Sequence, residues 1–263
     1  MINFLAPSLR IFFKTVDNIR EIRLRVNNPI IYYTDRENII AHILTKEQLE
    51  QTIELMSGFS LYAFESELKN GFLTIKGGHR VGIAGEAVTE NGKIKTLKNF
   101  SSINIRINRQ IIGCCKELLP HIMKGEEVLN TCIISPPGFG KTTILRDLIR
   151  NLSEKFTIGV VDERSELAAC HLGIPQNDLG KRTDILDACP KSIGMEMLLR
   201  SMAPQIIAID ELGSGEEEQV KKILTAGIKL ICTMHGSDMK EAKKLGLERY
   251  ILLGKDFKIR NIE

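Results

Sequence analysis

The sequence predicts an α/β protein, with a mostly parallel sheet flanked by helices and a smaller α+β domain in front of it. Three observations carry that prediction. After about Gly113, apolar strand-like runs alternate with helical stretches, the pattern of a buried parallel sheet. Before that point, short strands follow one another without long helices between them, as in antiparallel sheets. Between a strand and a helix of the second part lies a glycine-rich loop, Ser135–Thr142. The expected division is residues 1–112 for the N-terminal α+β domain and 113–263 for the α/β core.

In the first part, Glu21-Ile-Arg-Leu-Arg-Val26 alternates charged and apolar positions, as a half-buried strand does. Asn27-Asn-Pro29 turns the chain into a second apolar run, Ile30–Tyr33. Thr45 followed by Gln48 has capping-box spacing, Leu49, Ile53 and Met56 recur at helical intervals, and Gly58 ends the helix. A short helix is expected over Tyr62–Lys69, stopping at Asn70-Gly71. Further strands are expected at Phe72–Ile75, His79–Ile83 and Ile103–Ile107, with turns at Gly77-Gly78 and Asn91-Gly92.

The second part carries strand-like runs at Thr131–Ile134, Thr157–Val161, Gln205–Ile209 and Lys229–Met234, and its tail, Tyr250–Ile259, reads as a hairpin turning at Gly254.

Composition narrows the function classes. Hydrophobic residues make up 43% and charged residues 26%, with a net charge of +3. That balance is ordinary for a globular chain and too mild to argue for a nucleic-acid partner. Aromatics are only 5%, so no base-stacking surface is expected. The six cysteines include no Cys-x-x-Cys pair, and Cys132 and Cys232 lie inside apolar strands. Buried, reduced thiols of a cytosolic protein account for them. No uncharged run approaches the roughly 20 apolar residues of a membrane span, and no basic, apolar leader opens the sequence. The expected location is the cytoplasm.

The loop Ser135-Pro136-Pro137-Gly138-Phe139-Gly140-Lys141-Thr142 fits a phosphate-binding P-loop, with Ser135 in place of the first glycine. The chemistry explains the residue types. Gly138 and Gly140 let backbone N–H groups turn inward around phosphate oxygens, and the helix that starts there, with Thr143 in its first turn, adds a positive dipole. Lys141 offers an ammonium to the β- and γ-phosphates, and Thr142 a hydroxyl to Mg²⁺. Serine at 135 is expected to be harmless if its φ is negative. The expected ligands are therefore ATP and Mg²⁺.

Ile206-Ile-Ala-Ile-Asp210-Glu211 is an apolar strand ending in two carboxylates, a Walker B pattern. On a strand next to the P-loop strand, Asp210 reaches the Mg²⁺ shell and Glu211 orients or deprotonates the attacking water. A second acidic cluster, Asp162-Glu163-Arg164-Ser165-Glu166, follows another strand, and His235 a fourth. Ligands of open parallel sheets sit beyond the carboxyl ends of strands, so these groups are expected to gather at one edge. His235 is a candidate phosphate sensor, although a lone histidine is more often structural.

With these elements in this order, the chain resembles the type II/IV secretion-ATPase superfamily of RecA-like P-loop proteins, and within it a sporulation family of endospore-forming bacteria. Segments outside the motifs share the resemblance, among them Gly77–Gly82, Ser101–Arg106, Pro175–Asp178, Arg182–Asp187 and Leu199–Pro204. The resemblance implies a RecA-like core. It matches Asp162, Glu163 and Glu166 to an acidic box, with Asp162 at the metal and Glu163 catalytic, and His235 to a histidine box. It also implies nucleotide-directed arginines in the N-terminal domain, for which Arg80, Arg106 and Arg109 are the candidates, with Arg200 a further one. Finally, it implies a homohexameric motor on the cytosolic face of membrane-embedded channel proteins, between mother cell and forespore on the mother-cell side. Two other readings stand beside it: a nucleotide-dependent assembly scaffold that hydrolyses little, and a nucleic-acid-acting ATPase.

Overall fold

The computed structural model describes residues 2–58, 60, 64–69, 71–90, 92–213 and 215–263. It resolves into two compact units, Met1–Arg109 and Gln110–Glu263, and each is described by itself.

The first unit is a six-stranded antiparallel sheet. Its strands are β1 (Glu21–Arg25), β2 (Pro29–Tyr33), β3 (Glu37–Ile43), β4 (Phe72–Ile75), β5 (His79–Glu90) and β6 (Lys93–Arg106), in the order β3-β2-β1-β6-β5-β4. The alternation read in Glu21–Arg25 is realised: Ile22 and Leu24 are buried and face Ile105 and Ile103 of β6 across the ladder. Val81 and Ile83 meet the same two residues from the other side. Helix α1 (Pro7–Arg10) precedes this sheet, and helix α2 (Lys46–Met56) contributes Leu49, Ile53 and Met56 to its core. At the start of α2, the Thr45 hydroxyl accepts from the Gln48 N–H and the Gln48 side chain accepts from the Thr45 N–H, which completes the expected capping box.

Two features of this unit differ from the sequence reading. Strand β3 escapes it, because an edge strand with Ile39 and Ile43 exposed lacks a buried apolar period. The β5–β6 hairpin also runs well beyond the expected ends, as a ribbon of mostly polar, exposed residues. Cross-strand pairs such as Glu86–Lys98, 3.0 Å apart, support it in place of burial. The short helix expected over Tyr62–Lys69 is α3 (Glu65–Leu68) in the described residues, while Tyr62, Asn70 and Asn91 lie outside them.

The second unit opens with the short helix α4 (Leu119–Ile122) and the small ribbon β7 (Met123–Lys124) and β8 (Glu127–Val128). Its main sheet contains β9 (Thr131–Ser135), β10 (Ile158–Asp162), β11 (Thr183–Asp187), β12 (Ile206–Ile209), β13 (Lys229–His235), β14 (Arg249–Leu253) and β15 (Ile259–Ile262). The order is β11-β10-β12-β13-β9-β14-β15, parallel except for the last pair. Helices α5 (Lys141–Leu152), α6 (Lys191–Ser201), α7 (Glu217–Thr225) and α8 (Lys240–Lys243) alternate with the strands. The hydrophobic residues of β9, β10, β12 and β13 join two apolar clusters, which explains why these strands read as unbroken apolar runs. Among the described residues, no helix is long and apolar enough to cross a membrane.

Helix α5 buries Ile144, Leu145, Leu148 and Ile149 at helical spacing. It also buries Asp147, which is fully shielded from solvent and fastens the segment before α4 to the helix. One Asp147 oxygen accepts the Cys115 N–H at 3.0 Å and the other accepts from the Arg150 guanidinium at 2.8 Å. Burial pushes this carboxyl up, but those hydrogen bonds outweigh it and hold its pKa down at about 2. A carboxylate with a depressed folded-state pKa stabilises above its unfolded value, near 4, and loses that contribution as the pH falls through its folded value. Urea unfolding of wild type and Asp147→Asn should therefore differ at pH 6 by about 2 kcal/mol. The difference should shrink steadily between about pH 4 and pH 2; a gap independent of pH sinks this account.

Candidate functional site

The loop after β9 has its turns where the glycines are. Gly138 has φ 77° and Gly140 φ 88°, backbone positions that side chains strain to adopt. Gly140 is also the N-cap of α5, and no side chain caps that helix. Its first-turn N–H groups, from Lys141 to Thr143, thus have no intrahelical acceptor and point out of the helix start. Ser135, where the motif commonly has glycine, is the last residue of β9 and extended. Its position is fully buried and the sharp turns come later.

Lys141 is 5% exposed, and burial pushes its ammonium below the ordinary lysine range, against the pull of Asp210 and Glu211. All three of its donors are used. Nζ donates to Ser135 O at 3.0 Å, Pro136 O at 3.2 Å and His235 Nδ1 at 2.9 Å. An ammonium has only donors, so Nδ1 must be the accepting nitrogen of His235. The imidazole proton then sits on Nε2, which donates to Glu211 Oε1 at 2.6 Å. The other Glu211 oxygen accepts from Arg164 Nη1 at 2.6 Å. A continuous polar chain therefore runs from the loop lysine through a neutral His235 to Glu211 and Arg164.

Asp210 faces the other way. Its Oδ2 accepts from Thr142 Oγ1 at 2.6 Å, and its Oδ1 accepts from the hydroxyl of Thr233. Thr233 in turn accepts the Glu211 N–H at 2.8 Å. Glu211 has φ 53°, an uncommon conformation for a residue with a side chain. The turn it makes aims two successive carboxylates at different partners.

The expectation that Asp210 rides on a strand beside β9 is corrected: β13 lies between β12 and β9. Asp210 still reaches Thr142 because the parallel register sets Thr233 of β13 opposite Ile133 of β9, and Ile209 opposite Cys232. The small hydroxyl of Thr233 fills the step between them. Sequence reading passed over Thr233; the one signal was a polar residue inside Ile231-Cys232-Thr233-Met234.

The acidic segment after β10 divides its work. Asp162 is 2% exposed. Its two oxygens accept the N–H groups of Glu166, Leu167 and Ala168 at 2.9, 3.0 and 2.8 Å, so its carboxylate closes its own loop. Burial pushes its pKa up while those three bonds pull it down, and burial prevails. From the opposite side, buried Arg146 of α5 donates to the carbonyls of Leu167 and Glu166 at 2.8 and 2.6 Å. Arg146, also missed from sequence, thus holds the segment that carries Arg164. Glu163 pairs with Lys191 at 3.0 Å. Together Asp162, Glu163, Arg164, Glu166, Lys191, Asp210 and Glu211 line one narrow crevice.

The structure thus gathers Lys141, Thr142, Asp210, Glu211 and His235, with Glu163 and Asp162 alongside. Arg200 is not in this group; it faces solvent on α6, 3.8 Å from Glu196. The other arginines belong to the first unit. Arg80 lies over the Phe72 ring at 3.9 Å and is opposite Arg106 across the β5–β6 ladder, while Arg109 donates to Ile19 O at 3.0 Å.

A parallel sheet with a glycine-rich loop, a lysine at the following helix start and carboxylates at neighbouring strand tips is the RecA-like fold of the secretion ATPases. The structure is similar to that of the Legionella pneumophila ATPase DotB, with a TM-score of 0.57 at 16% identity, covering 92% of this chain and 75% of that one. It is also similar to the pilus retraction motor PilT with bound ADP, with a TM-score of 0.62 at 15% identity, covering 97% and 80%. At such identities the likeness concerns the fold. The sequence relation is nearer: it is 42% identical over 234 residues to stage III sporulation protein AA of Bacillus subtilis (strain 168), spanning 86% of this chain and 76% of that protein. The family model for sporulation stage III, protein AA matches residues 2–261, and the chain belongs to that family. A more distant relative is the ycf45 protein of Porphyra purpurea, 26% identical over 184 residues, 62% of this chain and 32% of that one.

Thr233→Val tests the hydrogen-bond step between the strands. It keeps the shape but leaves the Glu211 N–H without its acceptor and Asp210 Oδ1 without its donor, which should cost roughly 1–3 kcal/mol of stability in urea unfolding. An unchanged midpoint would show that the hydroxyl is dispensable.

Proposed function

We propose that this chain is an ATPase of the secretion-ATPase type whose substrate is Mg·ATP bound at residues 135–143. The observation that carries the reading is the convergence of Lys141, Thr142, Asp210, Glu211 and His235 at one sheet edge, at the uncapped start of α5.

The residues fit their parts. The first-turn N–H groups of α5 bind phosphate oxygens, and Lys141 exchanges carbonyl partners for the β- and γ-phosphates. Thr142 Oγ1 and Asp210 Oδ2, 2.6 Å apart, offer hard oxygens of the kind Mg²⁺ takes, one or two from protein and the rest from phosphate and water. Mg²⁺ held there neutralises phosphate charge. Among the described residues, no cluster of three His, Cys, Asp or Glu side chains is placed to hold a metal without the nucleotide. Glu211 is the base that orients the attacking water, and His235, bridging Lys141 and Glu211, couples the phosphate end to that base. Glu163 supports the site from the crevice. Asp162 holds the loop rather than the metal, since both of its oxygens are occupied by backbone N–H groups.

Family membership supports a role in sporulation, and the fold supports a homohexamer that drives a membrane-embedded channel from its cytosolic face. A second reading, a nucleotide-dependent scaffold with little hydrolysis, is favoured by one observation: both Glu211 oxygens are engaged, by His235 and Arg164. A base so held turns over slowly until one partner lets go.

Turnover assays decide. Lys141→Ala should abolish Mg·ATP binding, and Glu211→Gln should bind Mg·ATP with turnover reduced about 10²–10⁴-fold. Light scattering with a non-hydrolysable analogue should show a nucleotide-dependent ring. A folded, assembled wild type without turnover defeats the motor reading. Sporulation restored by Glu211→Gln selects the scaffold.

A further inference from the structure

The second unit contains four aromatic residues, Phe139, Phe156, Tyr250 and Phe257. Two of them are placed away from the loop or committed elsewhere. Phe156 precedes β10, at the end of the sheet opposite the loop. Tyr250 is 7% exposed, and its hydroxyl accepts the Leu247 N–H at 2.6 Å. Phe139 is in the loop itself. Phe257 arrives there from the far end of the sequence, in the 3-10 turn Lys255–Phe257 that joins β14 to β15.

Two details of that turn are unusual. Asp256 and Phe257 both have left-handed backbones, with φ 56° and 61°. Such a conformation persists in residues with side chains only where the surroundings impose it, and it clusters at ligand sites. The turn is closed by the Gly254 N–H donating to Lys258 O at 2.7 Å. The second detail is the contact it creates. A Cβ on residue 140 would lie 2.9 Å from Phe257 Cδ1 and 3.4 Å from Cζ, with Cε1 nearer still. These three atoms are consecutive in the ring, so Gly140 packs closely against that side of it. The ring is half-buried, packed in part against the apolar cluster that contains Ile251 and Leu253.

We propose that Phe257 is the base-stacking residue of this site, a specificity-determining wall that takes the heterocyclic base of the nucleotide whose phosphates lie on the α5 start. The inference rests on the reading of residues 135–143 as a phosphate-binding loop. A nucleotide anchored by its phosphates at Gly140–Thr143 must project its base away from the helix start. Beside β9, on the side away from β13, lies β14, and the turn after it brings the aromatic ring against Gly140. Every base has a π-face, and an aromatic side chain offers it an apolar plane at small entropic cost.

The test separates base from phosphate. Calorimetry with magnesium measures uptake of ATP and of inorganic tripolyphosphate by wild type, Phe257→Leu and Phe257→Tyr. Leucine keeps an apolar group against Gly140 but has no π-face. It should weaken ATP binding about 5- to 100-fold and leave tripolyphosphate binding unchanged, while tyrosine, which keeps the ring, should retain ATP. In wild type with ATP bound, adenine H2 and H8 should show NOEs to the Phe257 ring protons, a readout that needs no substitution. Equal losses for both ligands would mean that Phe257 only shapes the loop, and would overturn the proposal while leaving the phosphate reading intact. ATP binding untouched by Phe257→Leu, or no NOE with ATP bound, would do the same. A folded wild type that takes up neither ligand overturns both readings.

Discussion

Parallel strands deliver side chains to a common edge only when their register is held, because a slip of one residue turns every side chain to the opposite face. In the second unit that register is what the candidate site depends on. Ser135 stands opposite His235, Ile133 opposite Thr233, and Ile209 opposite Cys232. Strands β9 and β13 therefore end level, while β12 stops three residues earlier, at the level of Cys232, which sets Asp210 beside Thr233. The buried isoleucines of these strands keep the alignment, since the apolar clusters on the two faces accept only one of the possible phases.

Given that alignment, charge placement follows from hydrogen-bond arithmetic. A buried ammonium is costly unless its donors are satisfied. Lys141 meets that demand with two loop carbonyls and the acceptor nitrogen of His235, which places the imidazole proton toward Glu211. The choice of tautomer thus follows from the lysine, not from the histidine. The same arithmetic explains why Asp162, although first in an acidic cluster, serves backbone N–H groups: it is the most buried of that cluster and has three donors within reach. Its more exposed neighbours Glu163 and Arg164 form the ion pairs with other elements.

Much of this was legible in the residues alone. The capping box at Thr45 and the alternation of Glu21–Arg25 are local patterns, set within a few residues, and both are realised. So are the buried runs of β9, β10, β12 and β13 and the glycines of the loop, whose left-handed φ values are the reason for glycine there. What stayed hidden has no local signature. Strand β3 is an exposed edge, and the β5–β6 ribbon is supported by cross-strand ion pairs that one strand cannot announce. Arg146 reads as an ordinary helical arginine until the carbonyls of Glu166 and Leu167 are brought to it.

The sequence by itself determined the fold class, the place of the loop's glycine turns and the set of polar groups that end the central strands, because periodicity and turn chemistry act over short stretches of chain. The tertiary structure decided strand order, and with it the insertion of β13 between β12 and β9 and the bridging part of Thr233. It also decided which carboxylate turns inward to its own backbone and which aromatic ring is brought to Gly140. Strand order and side-chain partnership arise from burial shared among segments a hundred residues apart, and no window of the sequence contains both sides of such a contact.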